Sequence, residues 1–307
     1  MGDRLRKISS EKVVLTSFLV DVSDVVINLS VTFLSGSVVM LSQALEGLAD
    51  LLATGFLLIG IRRAKLPSDK KHPFGYGREL YFWTFLSALI TFTLTAGVSF
   101  YFGLKRYLTP ELIRNLSLAY LALAIAIVTN AYSMFLSLRR LLGGKPLSHI
   151  WKAFTHSALI ETKTTLILDA MGTIASIFGL IALFLYKQTG NLRFDGLGAM
   201  AIGITLAVLA LFIIKGAKDL LVGQGASPEV EEKIIEAAKS YPAVKSIIDL
   251  RTLHIGTNKL LVNMEVHLAD RLTTDEIEIL IDKIENQIKK EVPTATNIQI
   301  ELETPDI

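Results

Sequence analysis

A chain of 307 residues with 51% hydrophobic side chains, only 20% charged ones and a mean hydropathy of +0.49 lies outside the range of ordinary soluble proteins. A formal net charge of +2 is too small to suggest nucleic acid, and the basic residues fall in short connections rather than in one patch. There is no cysteine, which excludes disulfides, thiolate metal sites and cysteine nucleophiles, so any metal bound here is held by oxygen or imidazole.

In chain order, Met1 to Lys12 is short and polar, without the apolar core and small-residue cleavage site of a removable signal peptide. The first apolar run is therefore expected to stay in the mature chain. A helix needs roughly 20 apolar residues to cross the hydrocarbon core. Six segments meet that length, at 13–34, 38–61, 80–104, 112–138, 158–186 and 196–222. The sequence thus predicts a cytoplasmic N-terminus over 1–12, a six-helix membrane domain over 13–222 and a water-soluble cytoplasmic domain over 223–307.

The connections differ in charge. Arg4, Arg6, Lys7 and Lys12, then Arg62, Arg63, Lys65, Lys70 and Lys71, then Arg139, Arg140, Lys145 and Lys152 mark the N-terminus and the even-numbered connections. The odd-numbered ones hold only Lys105, Arg106, Arg114, Lys187 and Arg193. Positive charge stays on the cytoplasmic side, so both termini are expected there, in the cell (inner) membrane.

Ionisable groups inside a span are costly and normally face a cavity or a partner. In the second span Glu46 and Asp50 are four apart, which puts their Cβ atoms about 5–6 Å apart on one helix face. Two such charges in low dielectric need a cation or a proton between them, and a divalent cation meets that need. In the fifth span Glu161, Thr165 and Asp169 recur every four residues, again one stripe. Asp21, Asp24 and Asn28 form a looser stripe on the first span. The blander reading is a structural hydrogen bond for each lone acid, with Lys163 paired to one of them and Thr165 bonded back to its own helix.

The soluble part reads as helix (228–240), strand (244–254), strand (260–268), helix (273–291) and strand (297–303), an α+β domain of αββαβ order. Leu260, Val262, Met264, Val266 and Leu268 alternate with Leu261, Asn263, Glu265 and His267, and Gly256-Thr257-Asn258 is the hairpin turn. His254 lies beside that turn and His267 at the far end of its strand, roughly 20 Å away at ~3.3 Å per residue, so the two cannot share an ion within one chain. Glu265 and His267 share a face that Glu301 or Glu303 on the last strand can approach, a candidate regulatory metal site set against a solvated face or dimer contact.

Ser35-Gly36-Ser37-Val38 leading into Glu46 and Asp50, the loop His72-Pro73-Phe74-Gly75-Tyr76-Gly77-Arg78-Glu79, six spans and a C-terminal soluble domain together resemble the cation diffusion facilitator family over nearly the whole chain. The His-Pro-Phe-Gly-Tyr-Gly-Arg loop is the most specific part of the resemblance. It implies metal export by a homodimer driven by inward proton movement, a transport site between the second and fifth spans, and a metallochaperone-like (ferredoxin-like) domain that dimerises in the cytoplasm and in many members binds metal to regulate transport. It also marks His72 as a possible loop metal ligand, although Pro73, Gly75 and Gly77 make this segment a turn in any case, with Arg78 and Glu79 opening the third span and pairing locally.

In the family, two residues at i and i+4 on each of the second and fifth spans form the site, commonly histidine or aspartate followed by aspartate. Glu46 and Asp50 fit the first pair. On the fifth span Asp169 fits the aspartate, which puts Thr165 where histidine or aspartate is expected; a one-turn shift gives Glu161 and Thr165 instead. A set of Glu46, Asp50 and Asp169, completed by Thr165, Glu161 or Asn28, is all oxygen, which favours manganese or ferrous iron, with zinc next and magnesium behind them. Metal ions, protons and lipid are then the partners, and no resident cofactor is expected. A membrane enzyme is disfavoured, because no span pairs a nucleophile with a base. A channel, or a metal sensor that does not export, needs the same ligands and differs only in flux.

Overall fold

The computed structural model describes residues 10–143, 146–156 and 160–304, without the side chains of 10–17, 19, 20, 152, 155, 156, 160 and 161. Long apolar runs make long helices: α1 (Ser10–Ser35), α2 (Val38–Arg63), α3 (Glu79–Leu108), α4 (Leu116–Leu142), the short α5 (Ile150–His156), α6 (Ile160–Thr189) and α7 (Arg193–Val222). Among the described residues α2, α3, α4, α6 and α7 are long and apolar enough to cross a membrane, with mean hydropathies from 1.6 to 2.7. α1 is as long as α2 at 26 residues. Large apolar side chains also point outward, Phe33, Val128 and Phe212 each being more than half exposed, as lipid-facing helices require.

The chain divides into two compact units, one from the helices up to Arg63 together with Leu80–Lys218, the other from Ala64–Glu79 together with the chain from Asp219 on. In the first unit α1 packs along α2 and α4 along α6, while α2 meets α6 and α1 meets α4. Val39, Met40, Leu123, Met171, Leu183, Ile202 and Leu206 form its core. α3 and α7 approach backbone to backbone: a Cβ on Gly196 would lie 2.6 Å from the Gly103 carbonyl oxygen and from the Tyr107 nitrogen, so only glycine permits that contact. The middle of α3, Thr91–Gly97, winds as a π-helix, an irregularity that apolar periodicity does not announce.

The second unit contains α8 (Pro228–Lys239), β1 (Val244–Gly256), β2 (Lys259–Leu268), α9 (Thr274–Glu291) and β3 (Ala295–Leu302). This is the αββαβ order that the sequence predicts. β1 and β2 run antiparallel across a two-residue turn, Gly256 facing Lys259, and β3 lies parallel to β2, giving the sheet order β1-β2-β3. Leu260, Val262, Met264 and Val266 are buried together with Ile234 of α8 and Ile284 and Ile288 of α9, so the alternating face is the one the helices cover.

Ala64–Glu79, which sequence reading leaves inside the membrane domain, groups with this second unit. Gly77 presses on the hairpin end, where a Cβ would lie 2.4 Å from the Ile255 carbonyl oxygen. Arg78 donates to the Leu221 carbonyl at the end of α7. Its partner is thus far away in sequence rather than the neighbouring Glu79 of the local pairing expected above.

Candidate metal transport site

The site residues come from three helices whose apolar faces are otherwise packed. α2 contributes Glu46 (5% exposed) and Asp50 (9%), α6 contributes Thr165 and Asp169 (8%), and α1 contributes Asp24 and Asn28, all buried, with Asp21 partly so. The charged groups that act on Asp50 are all acids: Glu46, Asp21, Asp169 and Asp24. The structure therefore brings Asp21 and Asp24 of the first span, Glu46 and Asp50 of the second and Asp169 of the fifth within electrostatic reach of one another.

Hydroxyls on neighbouring helices hold several of these acids. Thr54 donates to Asp21 Oδ2 at 3.0 Å, and Thr129 of α4 to Asp24 Oδ2 at 3.5 Å. Ser137 of α4 donates to Asp169 Oδ2 at 3.3 Å, and Ser133, one turn earlier, also bonds that carboxylate. Glu46 Oε2 accepts from Gln43 Nε2 at 3.0 Å, and Gln43 Oε1 accepts from Ser176 of α6 at 2.7 Å. Three atoms are left over: Glu46 Oε1, Asp50 Oδ1 and Asn28 Oδ1 are buried without a hydrogen-bond partner. A buried, bare carboxylate oxygen is costly unless a cation or a proton visits it.

Among the described residues no three His, Asp or Glu side chains converge closely enough to hold an ion together. The carboxylates are neighbours rather than a closed cage. Glu161 lies outside the described side chains. Lys163 sits with its ammonium 5.6 Å from the centroid of the Phe154 ring.

The regulatory candidates of the second unit lie side by side on two neighbouring strands. Glu265 and Glu301 are cross-strand neighbours on β2 and β3, and His267 Nδ1 lies 3.3 Å from the Glu303 backbone carbonyl rather than from its carboxylate. His254 pairs with Leu260, well away from His267. In the loop, His72 Nδ1 is 3.3 Å from Asp69 Oδ1 and its ring packs on Tyr76 at 4.1 Å. Asp69 in turn accepts from the Lys71 and His72 amides and the Tyr76 hydroxyl. Those bonds, the Tyr76 hydroxyl foremost, hold its carboxyl below the usual carboxylate range.

Sequence reasoning missed two features. The first is the Gln43–Ser176 connection; Gln43 lies three residues before Glu46, on the same stripe, and an amide in a span is itself a signal. The second is Asp195, fully buried in the first turn of α7. It accepts from Ser37 Oγ at 2.6 Å and from the amides of Val38 and Val39 at 2.8 and 3.0 Å, and it lies 3.6 Å from Arg106. It caps the open N-terminus of α2 from another helix.

Comparison with known proteins agrees with this architecture. Residues 14–222 match the cation efflux transmembrane domain and residues 226–303 the cation efflux protein cytoplasmic domain. The chain is 28% identical over 243 residues to the mitochondrial proton-coupled zinc antiporter SLC30A9 of Homo sapiens, covering 78% of this chain and 43% of that one. It is 24% identical over 264 residues to the cation-efflux pump FieF of Serratia proteamaculans, covering 85% and 82%. The chain thus spans about half the length of the SLC30A9 relatives it matches. Among solved structures, a nickel form of a MamM C-terminal domain variant aligns with 26% of this chain and all of its own, at 19% identity and a TM-score of 0.24, a likeness too slight to carry weight. With both of its parts matched, this multi-pass membrane protein belongs to the cation efflux, or cation diffusion facilitator, family.

Proposed function

We propose that the protein exports divalent metal cations from the cytoplasm in exchange for protons, binding them between α2 and α6. The observation that carries this is the buried acid centre: Glu46, Asp50 and Asp169 lie beside Asp21 and Asp24, and both Glu46 and Asp50 keep one oxygen bare. Such a centre is neutralised either by a divalent ion or by protons, and the two exclude each other because they occupy the same oxygens. Glu46, Asp50 and Asp169 are the proposed ligands, with Thr165, Glu161 or Asn28 completing the shell. A rocking of the helices then carries the loaded site to the other side, where protons replace the metal.

Manganese or ferrous iron is the favoured cargo, zinc the next, because no histidine stands among the ligands and oxygen-only sets suit harder ions. The relatives named as proton-coupled zinc antiporters support the exchange with protons and argue for zinc as the nearest competitor. Loop charge supports cytoplasmic termini in a cell (inner) membrane. The match of the second unit to the family's cytoplasmic domain supports a homodimer.

The test is uptake of manganese, ferrous iron, cobalt and zinc into proteoliposomes carrying a lumenal pH dye, for the wild type, Asp50→Ala and Asp169→Ala. Manganese or iron flux that moves lumenal pH and vanishes in both variants is the expected result. Dominant zinc flux sinks the metal order, a silent pH dye sinks the exchange, and binding without any flux makes the protein a sensor.

A further inference from the structure

Glu46 is longer than the aspartate that follows it on the stripe, and its carboxylate reaches back toward the N-terminal end of α2, the direction in which helical side chains lean. There it meets Gln43, and the contact is built rather than incidental. Gln43 is 2% exposed and Ser176 is fully buried. The amide bridges the two helices that carry the proposed ligands, with Ser176 Oγ donating to Gln43 Oε1 at 2.7 Å and Gln43 Nε2 donating to Glu46 Oε2 at 3.0 Å. A carboxylate only accepts, so the amide nitrogen has to face Glu46, and the serine hydroxyl then holds the amide in that orientation. The result is a carboxylate with one oxygen engaged and the other, Oε1, bare in the interior.

We propose that Gln43, anchored by Ser176, is a positioning residue that makes Glu46 a one-oxygen ligand and thereby biases the site against large, flexible-shelled divalent ions such as calcium. The inference rests on the transport-site reading above. Two-oxygen chelation needs both carboxylate oxygens free to approach the ion together, and the amide N–H on Oε2 opposes that. Ions with short metal–oxygen distances and few ligands are served by single oxygens, whereas large, flexible-shelled ions such as calcium recruit carboxylates through both. The relay therefore selects by denticity, while the charge of the site is unchanged.

The experiment measures zinc, manganese and calcium affinity of the full-length protein in detergent by calorimetry, for the wild type, Gln43→Leu, Ser176→Ala, the double variant and Glu46→Ala. Gln43→Leu is expected to raise the calcium-to-zinc and calcium-to-manganese affinity ratios on the order of tenfold, the scale on which partners of metal ligands act. Ser176→Ala moves the ratios the same way by less, and the double variant goes no further than Gln43→Leu alone, as residues acting in series do. If Gln43→Leu fails to fold, Ser176→Ala, which removes a single hydroxyl, carries the same test. An equal loss for all three ions, or unchanged ratios, overturns the proposal and reduces Gln43 to packing. Should Glu46→Ala leave every affinity as it was, the fault lies with the transport-site reading itself; a loss there with unmoved ratios indicts the relay alone.

Discussion

Two buried carboxylates in the helical unit stand in opposite circumstances. Asp195 is fully enclosed, yet its oxygens are taken by a hydroxyl, two amides and Arg106. Asp50 is also buried, though 9% exposed, and stands among acids with one oxygen bare. Burial alone thus says little about what an acid does. A satisfied buried carboxylate holds helices together, whereas a bare one is open to a cation or a proton, and the bond inventory around it separates the two.

The largest effect expected from this contrast is functional. Asp50→Asn removes a charge from a cluster of like charges while keeping the shape, so metal flux into proteoliposomes falls to background and thermal stability in detergent stays level or rises. A variant that unfolds instead would make Asp50 a structural group like Asp195.

Asp195→Ala is expected to do the reverse. It leaves the Ser37 hydroxyl and the first amides of α2 without their acceptor and takes one partner from Arg106, which keeps the Gly36 and Glu111 carbonyls, a loss of about 3 kcal/mol. Chemical unfolding in detergent reads that loss directly. If the variant is as stable as the wild type, the cap from α7 onto α2 has been overvalued.

How much of this was legible beforehand follows from which residues advertise themselves. Glu46 and Asp50 announce themselves because acids are rare in apolar runs and their spacing puts them on one face. The second unit was legible from the alternation at Leu260 to Leu268 and from the Gly256-Thr257-Asn258 turn. Asp195 was not, since it stands at the mouth of a span, where an acid is unremarkable, and the hydroxyl and amides that it accepts from lie more than 150 positions away. The π-helix at Thr91–Gly97 was hidden for a related reason, as its three threonines and one glycine carry no spacing specific to π winding. Pro73, Gly75 and Gly77 mark the loop around His72 as a turn, but its grouping with the second unit depends on the fit of Gly77 against Ile255 and Gly256, which spacing does not supply.

Acids at the water-exposed end of the series sharpen the comparison further. Thr273 and Glu276 form a reciprocal cap at the start of α9, the Thr273 hydroxyl accepting from the Glu276 amide and the Glu276 carboxylate accepting from the Thr273 amide. Thr273→Ala should lower the stability of the second unit by about 1 kcal/mol, read as faster amide exchange in the first turn of α9. An unchanged exchange rate there would mean that tertiary packing of Ile284 and Ile288 alone fixes the helix end.

Asp69 is expected to show the smallest effect and a clear sign. Its carboxyl is held below the usual range by the Tyr76 hydroxyl and the backbone amides of His72 and Lys71. The folded form therefore binds its proton less readily than an unfolded chain does. The contribution of the turn is complete above the ordinary aspartate value and is lost as pH falls through the lowered folded one. The protection of the Lys71 and His72 amides, taken relative to intrinsic exchange at each pH, should be high at neutral pH, fall only in acid, and be low at every pH in Asp69→Ala. Protection that persists in that variant would mean that the backbone bonds from Asp69 and Gly75 to the His72 carbonyl hold the turn unaided. The exposed carboxylate would then be dispensable, and satisfaction by hydrogen bonds would mark a structural acid only where water is excluded.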